Sequence, residues 1–285
     1  MKIGVLLDSS SGAIKEELQN TNIDVIPLHI ILEDGTDLSD TRENIEKYDV
    51  YNRVNNKENV KTSQASPGEL EIKYNEMLEK YDHIIHITIT KNISSMQDTA
   101  IMVSKQPEFN GKVTVPEHNL AASAIKSCGL YLNKIINEGQ KDIEYLVNEI
   151  NEFEKSFVAI IVPGDLSKLA RGGRAVKIFA SILNAFKTKA VIHWAAKPKK
   201  IAMARKLSII IEKVSGLLEK TYEGEEFNLT LLTTWDIQKR LLENTRVDLN
   251  NAKISFQETY LPSIYAVHAG IDTLGFIATG KKFEY

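Results

Sequence analysis

The chain has 285 residues and a formal net charge of −3; 43% of its residues are apolar and 26% are charged. These proportions exclude a disordered chain, and the length suggests two domains or one large one. Cys128 is the only cysteine, which excludes an internal disulfide or a cysteine-based zinc site and fits a reducing compartment. The apolar runs are too short to span a membrane, and Asp8 interrupts the first run too early for a signal peptide. We therefore expect a cytoplasmic protein without a transmembrane segment.

Strand-like and helix-like segments alternate through the first half of the chain. Apolar, β-branched runs predict strands at 2–7, 25–32, 83–88 and 112–115. Helical patterning predicts helices at 13–20, 43–54, 67–81, 95–104, 120–137 and 143–155. The alternation favours an α/β domain, residues 1–156, with a mostly parallel sheet flanked by helices.

The composition changes after the apolar run at 157–162, which is itself a predicted strand. Further strands are predicted at 190–194, 200–203, 227–234, 254–258, 263–267 and 274–279. Helices are predicted at 175–186, 205–221 and 236–244. We expect residues 157–285 to form a second α/β domain with a smaller, mixed sheet and helices.

Positive charge is concentrated in one segment. Residues 166–211 contain eleven lysines and arginines and no acidic residue, so the rest of the chain carries a net charge of −14. This segregation indicates an anionic ligand or an acidic partner surface, although a solvated face of helices gives the same pattern. The segment lacks the interleaved surface aromatics that single-stranded nucleic acids bind, and we expect no nucleic-acid partner.

Hydroxyl-bearing loops follow two of the predicted strands, at the sheet edge where α/β proteins bind ligands. Residues 8–12, Asp-Ser-Ser-Ser-Gly, offer hydroxyls to an anion or cap a helix. Ser94 follows the strand at 83–88 and can bind an anion, but with Gln97 it also fits a capping box.

A third loop contains Thr62 and Ser63. Ser66, Pro67 and Glu69 just beyond it form the start signal of a helix. Because Ser66 already caps that helix, the hydroxyl of Thr62 is left either for a carboxylate or phosphate near the helix N-terminus or for a turn.

Two further segments combine charged groups with glycine. Residues 171–174, Arg-Gly-Gly-Arg, bring guanidinium donors suited to phosphate or carboxylate, or else form a turn with surface arginines. His268 follows a predicted strand and serves either a ligand or a structural hydrogen bond. Dinucleotide-binding and nucleophile-elbow motifs are absent, the run at 275–281 lacks the Ser/Thr of a P-loop, and the histidines lack metal-ligand spacing. We expect no cofactor and no metal.

Taken in order, these segments resemble the DegV-like fatty-acid-binding family over nearly the whole chain. The matching segments are Asp8-Ser9, Val25-Ile26-Pro27-Leu28, Thr62-Ser63-Gln64, Ser66-Pro67-Gly68-Glu69, Ile93-Ser94, Arg171-Gly172-Gly173-Arg174 and the His-x-Gly segment at His268. The resemblance implies two α/β domains with a long-chain fatty acid between them and its acyl chain in an apolar tunnel.

The resemblance also implies which residues bind this ligand. Thr62 and Ser94 would hold the carboxylate, with Ser63 and Ser95 beside them in the same loops. The polar groups near the head group would be Arg171 or Arg174, Arg205 and His268.

The family resemblance implies a partner as well. In bacteria with the corresponding system, a separate fatty-acid kinase phosphorylates the presented fatty acid to acyl-phosphate, a phospholipid precursor. The chain would then be a carrier rather than an enzyme, and a transient contact with a membrane surface is compatible with that role.

Three departures from the family pattern lie near the implied head group. Ser95 replaces a glycine, Ile271-Asp272 replaces a proline-glycine pair and Glu117-His118 replaces Asp-Ser. We expect them to affect phosphoryl transfer more than carboxylate binding. The alternative function is an acyl hydrolase or transferase that uses His268 with Ser94 or Ser9 as a base–nucleophile pair.

Overall fold

A computed structural model describes residues 1–139, 142–171, 188–195 and 197–285, without the side chains of residues 170 and 171. The strands are β1 (Ile3–Asp8), β2 (Ile23–Ile26), β3 (His29–Ile31), β4 (Asp37–Ser39), β5 (Lys61–Ser63), β6 (His83–Ile87), β7 (Val113–Thr114), β8 (Val158–Val162), β9 (Lys189–Trp194), β10 (Lys199–Ala204), β11 (Phe227–Thr233), β12 (Gln257–Tyr260) and β13 (Leu274–Gly280). The helices are α1 (Arg42–Lys47), α2 (Val50–Asn55), α3 (Pro67–Leu78), α4 (Met96–Ser104), α5 (Ser123–Asn137), α6 (Ile143–Lys155), α7 (Leu166–Arg171), α8 (Leu207–Tyr222), α9 (Lys239–Asn251) and α10 (Ser263–Ala269).

The first sheet is parallel, with the strand order β2-β1-β6-β7. Every residue of β1 and of β6 is buried, because α5 packs on β1 and α3 packs on β6. Continuous apolar runs are typical of parallel strands that are covered on both faces. The carboxyl ends of these strands meet at one edge, where Asp8 ends β1.

The segment predicted as one strand at 25–32 forms two strands, β2 and β3. Pro27 lies between them, and a proline cannot donate a ladder hydrogen bond. β3 leaves the parallel sheet and pairs antiparallel with β4 on one side and β5 on the other. This three-stranded sheet carries Thr62 in β5.

The second sheet is mixed and has the strand order β10-β9-β8-β13-β11-β12. Its strands pair antiparallel except β11 with β12. An apolar cluster lies between this sheet and helices α8 and α9. The expected α/β class, with one parallel and one mixed sheet, is confirmed. The second sheet is larger than the first, not smaller as expected, since the β9–β10 hairpin and β12 extend it to six strands against four.

Two predicted elements are wrong. Residues 13–20 form turns instead of a helix: Gly12 is left-handed at φ 69°, and Leu18 is the one apolar side chain of the segment that is fully buried. Residues 263–267 form the start of helix α10 instead of a strand. Its buried side chains include Ile264 and Val267, whose spacing of three fits a helix. The helix predicted at 175–186 lies outside the described residues.

The main apolar core crosses the predicted domain boundary. It joins residues of the first sheet to Leu232, Leu261, Ile264 and Val267 from the second half. Among the described residues, the predicted boundary between residues 156 and 157 falls between α6 and β8 and interrupts no helix or strand. The division into two domains at this point stays a prediction.

None of the helices described is both long and apolar enough to traverse a membrane. The cytoplasmic location stays a prediction.

Candidate functional site

The loop after β1 uses its hydroxyls internally. Residues 9–11 form a short 3-10 helix that Asp8 caps by accepting the Ser10 N–H at 3.0 Å. The same carboxylate accepts the Ile89 N–H at 2.5 Å and the Ser10 hydroxyl. Burial raises the pKa of Asp8 to about 6. Of the two interpretations of this loop, helix capping is the one that the geometry shows.

A second buried carboxylate lies beside this loop. Asp40, directly after β4, accepts the Ser9 hydroxyl at 2.7 Å and the Ser263 hydroxyl at 2.5 Å. Burial raises the pKa of Asp40 above its ordinary value. Since Ser9 follows β1 and Ser263 begins α10, Asp40 connects the edge of the first sheet to a helix of the second half.

Thr62 lies on β5, opposite Ile30 of β3. Its Oγ1 is 2.7 Å from Nε2 of His268, 206 residues away in the sequence. The predicted capping box is confirmed: the Ser66 hydroxyl accepts the Glu69 N–H, and the Glu69 carboxylate accepts the Ser66 N–H. The cap therefore leaves the Thr62 hydroxyl to the histidine.

His268 lies in the last turn of α10 and not at a strand end. The helix ends at Gly270, whose φ is 90°, a region that favours glycine. A Cβ atom on Gly270 would lie 2.8 Å from the Asp165 nitrogen, so only glycine fits this approach. The Asp165 N–H donates to the Ala269 carbonyl at 2.8 Å. The end of α10 is thus tied to the loop that enters α7.

Ser94 and Ser95 precede α4. Ser94 is half-buried, and its Oγ accepts the Met96 N–H at 3.2 Å, while Ser95 is the exposed N-cap residue. The predicted capping box is wrong, because the Gln97 amide donates to the Pro116 carbonyl instead. Ser95 has φ −79°, which any residue adopts, so this position does not require the glycine of the family pattern.

The remaining predicted site residues differ in how far the structure places them. Ser63 is exposed, and its hydroxyl donates to the Gln64 carbonyl at 3.3 Å. Arg205 is exposed in the link between β10 and α8. β8 and β10 both run antiparallel to β9, so Arg205 leaves the sheet at the same edge as the loop containing Asp165. Arg174 and the side chain of Arg171 lie outside the described residues.

Two of the departures from the family pattern have partners of their own. Asp272 accepts the backbone N–H of Gln238 at 2.9 Å and its side-chain amide at 2.5 Å, at the start of α9. Glu117 forms an exposed ion pair with Lys91. Both carboxylates are therefore held by other groups of the protein.

His118, which departs from the family pattern together with Glu117, is buried together with His86. Nδ1 of His118 accepts the Leu120 N–H at 3.1 Å, and Nδ1 of His86 is 2.8 Å from the Tyr74 hydroxyl. Burial lowers the pKa of His118 to about 4 and, with a smaller contribution from His118, that of His86 to about 3. Within the described part of the chain, neither Nε2 atom has a hydrogen-bond partner.

Three further residues at this site, Asp40, Ser263 and Tyr265, are not predicted from the sequence. The Tyr265 hydroxyl accepts the Ala122 N–H at 3.0 Å, across the two halves of the chain. No local pattern in the sequence singles out any of the three. In the ranges described, no cluster of His, Cys, Asp and Glu could hold a metal ion.

Known proteins match the chain over most of its length. The family model described as uncharacterised protein, DegV family, matches residues 2–281. A fatty acid-binding protein of Thermotoga maritima is 28% identical over 229 residues, which cover 78% of this chain and 77% of that protein. Protein DegV of Bacillus subtilis is 26% identical over 282 residues, 96% of this chain and 98% of its own length.

Solved structures share the fold. A DegV family protein from Thermus thermophilus, described as binding fatty acid, has a TM-score of 0.86 at 22% identity, with 98% of this chain and 100% of that chain covered. A stearic acid-binding protein from Eubacterium ventriosum has a TM-score of 0.84 at 17% identity, with 98% of each chain covered. The resemblance that the sequence motifs indicate is confirmed: this chain belongs to the DegV family.

Proposed function

We propose that the protein binds a long-chain fatty acid, with the carboxylate held by Thr62 and Ser94, and presents it to a separate fatty-acid kinase. The observation that carries this proposal is the 2.7 Å contact between Thr62 and His268. Relatives named for fatty-acid binding support it.

The contact leaves a donor for a carboxylate in one protonation arrangement. If Nε2 of His268 carries a proton, it donates to Oγ1, and the Thr62 hydroxyl hydrogen is available to the ligand. With the opposite tautomer, the hydroxyl hydrogen is spent on the imidazole. A bound carboxylate therefore favours His268 with a proton on Nε2.

Ser94 offers a second donor. Its Oγ accepts the Met96 N–H through a lone pair, so the hydroxyl hydrogen is still available to a carboxylate. α4 begins just after it, and the positive end of a helix favours an anion. Two charge-assisted hydrogen bonds of this kind contribute about 1.5–3 kcal/mol each.

The acyl chain requires an apolar wall near this head group. Leu169 of α7 forms a separate apolar cluster with Ala190 and Ile192 of the second sheet, and Ile161 and Trp194 of that sheet are only partly buried beside it. We propose this cluster as one wall of the acyl tunnel. Each buried methylene contributes about 0.8 kcal/mol.

The hydrolase alternative loses one of its two nucleophiles. Ser9 donates its hydroxyl to Asp40 and accepts the Leu28 N–H, so its hydrogen-bonding capacity is spent on structure. A carrier in turn requires the kinase to supply ATP and catalysis. Hydrolysis of acyl esters by the isolated protein would support Ser94 as a nucleophile and contradict the carrier proposal.

Mass spectrometry of denatured protein tests ligand binding directly. We expect protein purified from a bacterial host to release fatty acid of roughly 14–18 carbons, since burial of each methylene slows its dissociation. A lipid-free preparation that also fails to bind added fatty acid contradicts the proposal.

A further inference from the structure

Helix α10 is fixed at both ends by the same small sheet. Ser263 is its first residue and bonds to Asp40, directly after β4. His268 lies in its last turn and bonds to Thr62 of β5. β4 and β5 are the two outer strands of the three-stranded sheet, on either side of β3. The sheet therefore holds the helix at two separate points.

The dimensions of the two elements match. The outer strands of a three-stranded sheet lie about 9–10 Å apart. Five residues of α-helix rise about 7.5 Å, the distance along α10 from Ser263 to His268. The side chains of both residues complete the span. A shift at one end of so short a helix therefore moves the other end.

The rest of α10 contributes to this docking. Ile264 and Val267 are buried in the main core, and the Tyr265 hydroxyl accepts the Ala122 N–H. Arg42, two residues after Asp40, lies over the rings of Trp235 and Tyr260 at 5.6 and 5.7 Å. Through its contact with Tyr260, Arg42 thus holds the segment that precedes α10 close to Asp40.

The setting of Asp40 indicates more than a surface contact. It is buried, and in the described part of the chain it has no lysine or arginine partner; two serine hydroxyls supply its hydrogen bonds. A buried carboxylate without a cation is costly, so each of the two bonds contributes to stability. The bond from Ser9 stays within the first half of the chain, and the bond from Ser263 connects Asp40 to α10.

We infer that Asp40 is a positioning residue for His268, which it aligns with Thr62 by fixing the first residue of α10. Its effect on the fatty-acid head group rests on the function proposed above. Ser263 transmits the effect, whereas the bond from Ser9 stabilises the buried carboxylate without contacting α10.

The experiment compares two variants that each remove one hydroxyl from Asp40. In Ser263→Ala, α10 loses its anchor, and we expect the ring ¹⁵N shifts of His268 in lipid-free protein to move. Dissociation of bound fatty acid should become about ten-fold faster, the equivalent of 1.4 kcal/mol. In Ser9→Ala the anchor stays, and the His268 shifts should match wild type although stability falls. Ser263→Thr keeps the hydroxyl and should restore the wild-type shifts.

The outcomes separate this inference from the proposed function. Unchanged His268 shifts in Ser263→Ala, or equal changes in Ser9→Ala, overturn the positioning role. Failure of the wild type to bind any fatty acid contradicts the proposed function and leaves the comparison of shifts valid. If Ser263→Ala does not fold, Asp40→Ala, which removes the acceptor of the Ser263 hydroxyl, provides the second variant, and unchanged His268 shifts in it overturn the inference.

Discussion

Two threonine–histidine pairs in the described part of the chain share one chemistry but occupy different places. Nε2 of His83 is 2.9 Å from Oγ1 of Thr114, between neighbouring strands of the first sheet. Nε2 of His268 is 2.7 Å from Oγ1 of Thr62, between the small sheet and α10. The first pair joins residues 31 apart in one sheet, and the second joins residues 206 apart in the two halves of the chain. Position in the fold, more than residue type, therefore makes such a pair a candidate site.

The largest expected effect concerns a histidine that belongs to neither pair. Burial lowers the pKa of His118 to about 4, so the folded state binds its proton less tightly than the unfolded state. Its contribution to stability is present above pH 6.5 and is lost as the pH falls towards 4, by about 3 kcal/mol. The pKa of Asp8 is raised to about 6, which acts in the opposite direction: its contribution is present below pH 4 and is lost as the pH rises through 6.

The variant His118→Asn isolates the pH-dependent contribution of His118 to stability. The asparagine Oδ1 replaces Nδ1 as acceptor for the Leu120 N–H but does not titrate between pH 6.5 and 4. We expect the free energy of unfolding, measured in urea at several pH values, to fall less steeply with acid in the variant. Equal slopes in the two proteins contradict a buried, neutral His118. Both proteins contain Asp8, so its contribution to the pH dependence of stability is the same in each and cancels in the comparison.

The second prediction tests the two pairs against each other. Thr62→Val and Thr114→Val each keep the side-chain shape and remove one hydroxyl beside a histidine. Thr62→Val should weaken fatty-acid binding about 10- to 100-fold, since it removes a charge-assisted donor worth about 1.5–3 kcal/mol. Thr114→Val should leave affinity unchanged and lower stability by about 1 kcal/mol. Equal affinity losses, measured by calorimetry, would show that Thr62 acts through stability alone.

The third prediction concerns the glycine that ends α10. Gly270→Ala places a Cβ 2.8 Å from the Asp165 nitrogen at a positive φ. Gly35→Ala has a similar φ of 87° but meets no atom within 4 Å, so it measures the conformational strain alone. Gly270→Ala should destabilise by about 2 kcal/mol more than Gly35→Ala, the typical cost of overpacking. Equal melting temperatures of the two variants would show that the close approach of Asp165 does not require glycine at position 270.

Sequence reasoning predicted more of the fold than of the site. β1 is an almost continuous apolar run, and β6 combines three isoleucines with two buried histidines, so both strands can be recognised without a structure. Residues 263–267 carry β-branched and aromatic side chains and therefore resemble a strand. Packing decides for the helix there, because Ile264 and Val267 both reach the core only with a helical spacing.

The site was predictable only where the signal was local. Thr62 could be singled out because Ser66, four residues later, visibly serves as a cap. Asp40 could not, because its partners Ser9 and Ser263 are 31 and 223 residues away, and no local pattern encodes such contacts. Polar networks between sequence-distant loops depend on the tertiary fold that brings those loops together.

The smallest expected effect concerns the charged surface far from both pairs. Lys197, Lys199 and Lys200 are exposed around the β9–β10 turn. If they guide the kinase, changing all three to Glu should slow phosphorylation of bound fatty acid several-fold at low salt, and the difference should shrink at high salt because ions screen exposed charges.

A control with the same change in net charge separates docking from overall repulsion. Lys57, Lys80 and Lys105 are exposed in the first half of the chain, and changing them to Glu alters the net charge equally. This control should retain more of the kinase rate than the hairpin variant, and both should bind fatty acid as tightly as wild type. Equal loss in the two variants would mean that the kinase responds to total charge, and the hairpin lysines would then be a solvated face. A selective loss places the docking surface on the basic segment, separate from the hydroxyls that we propose as carboxylate ligands.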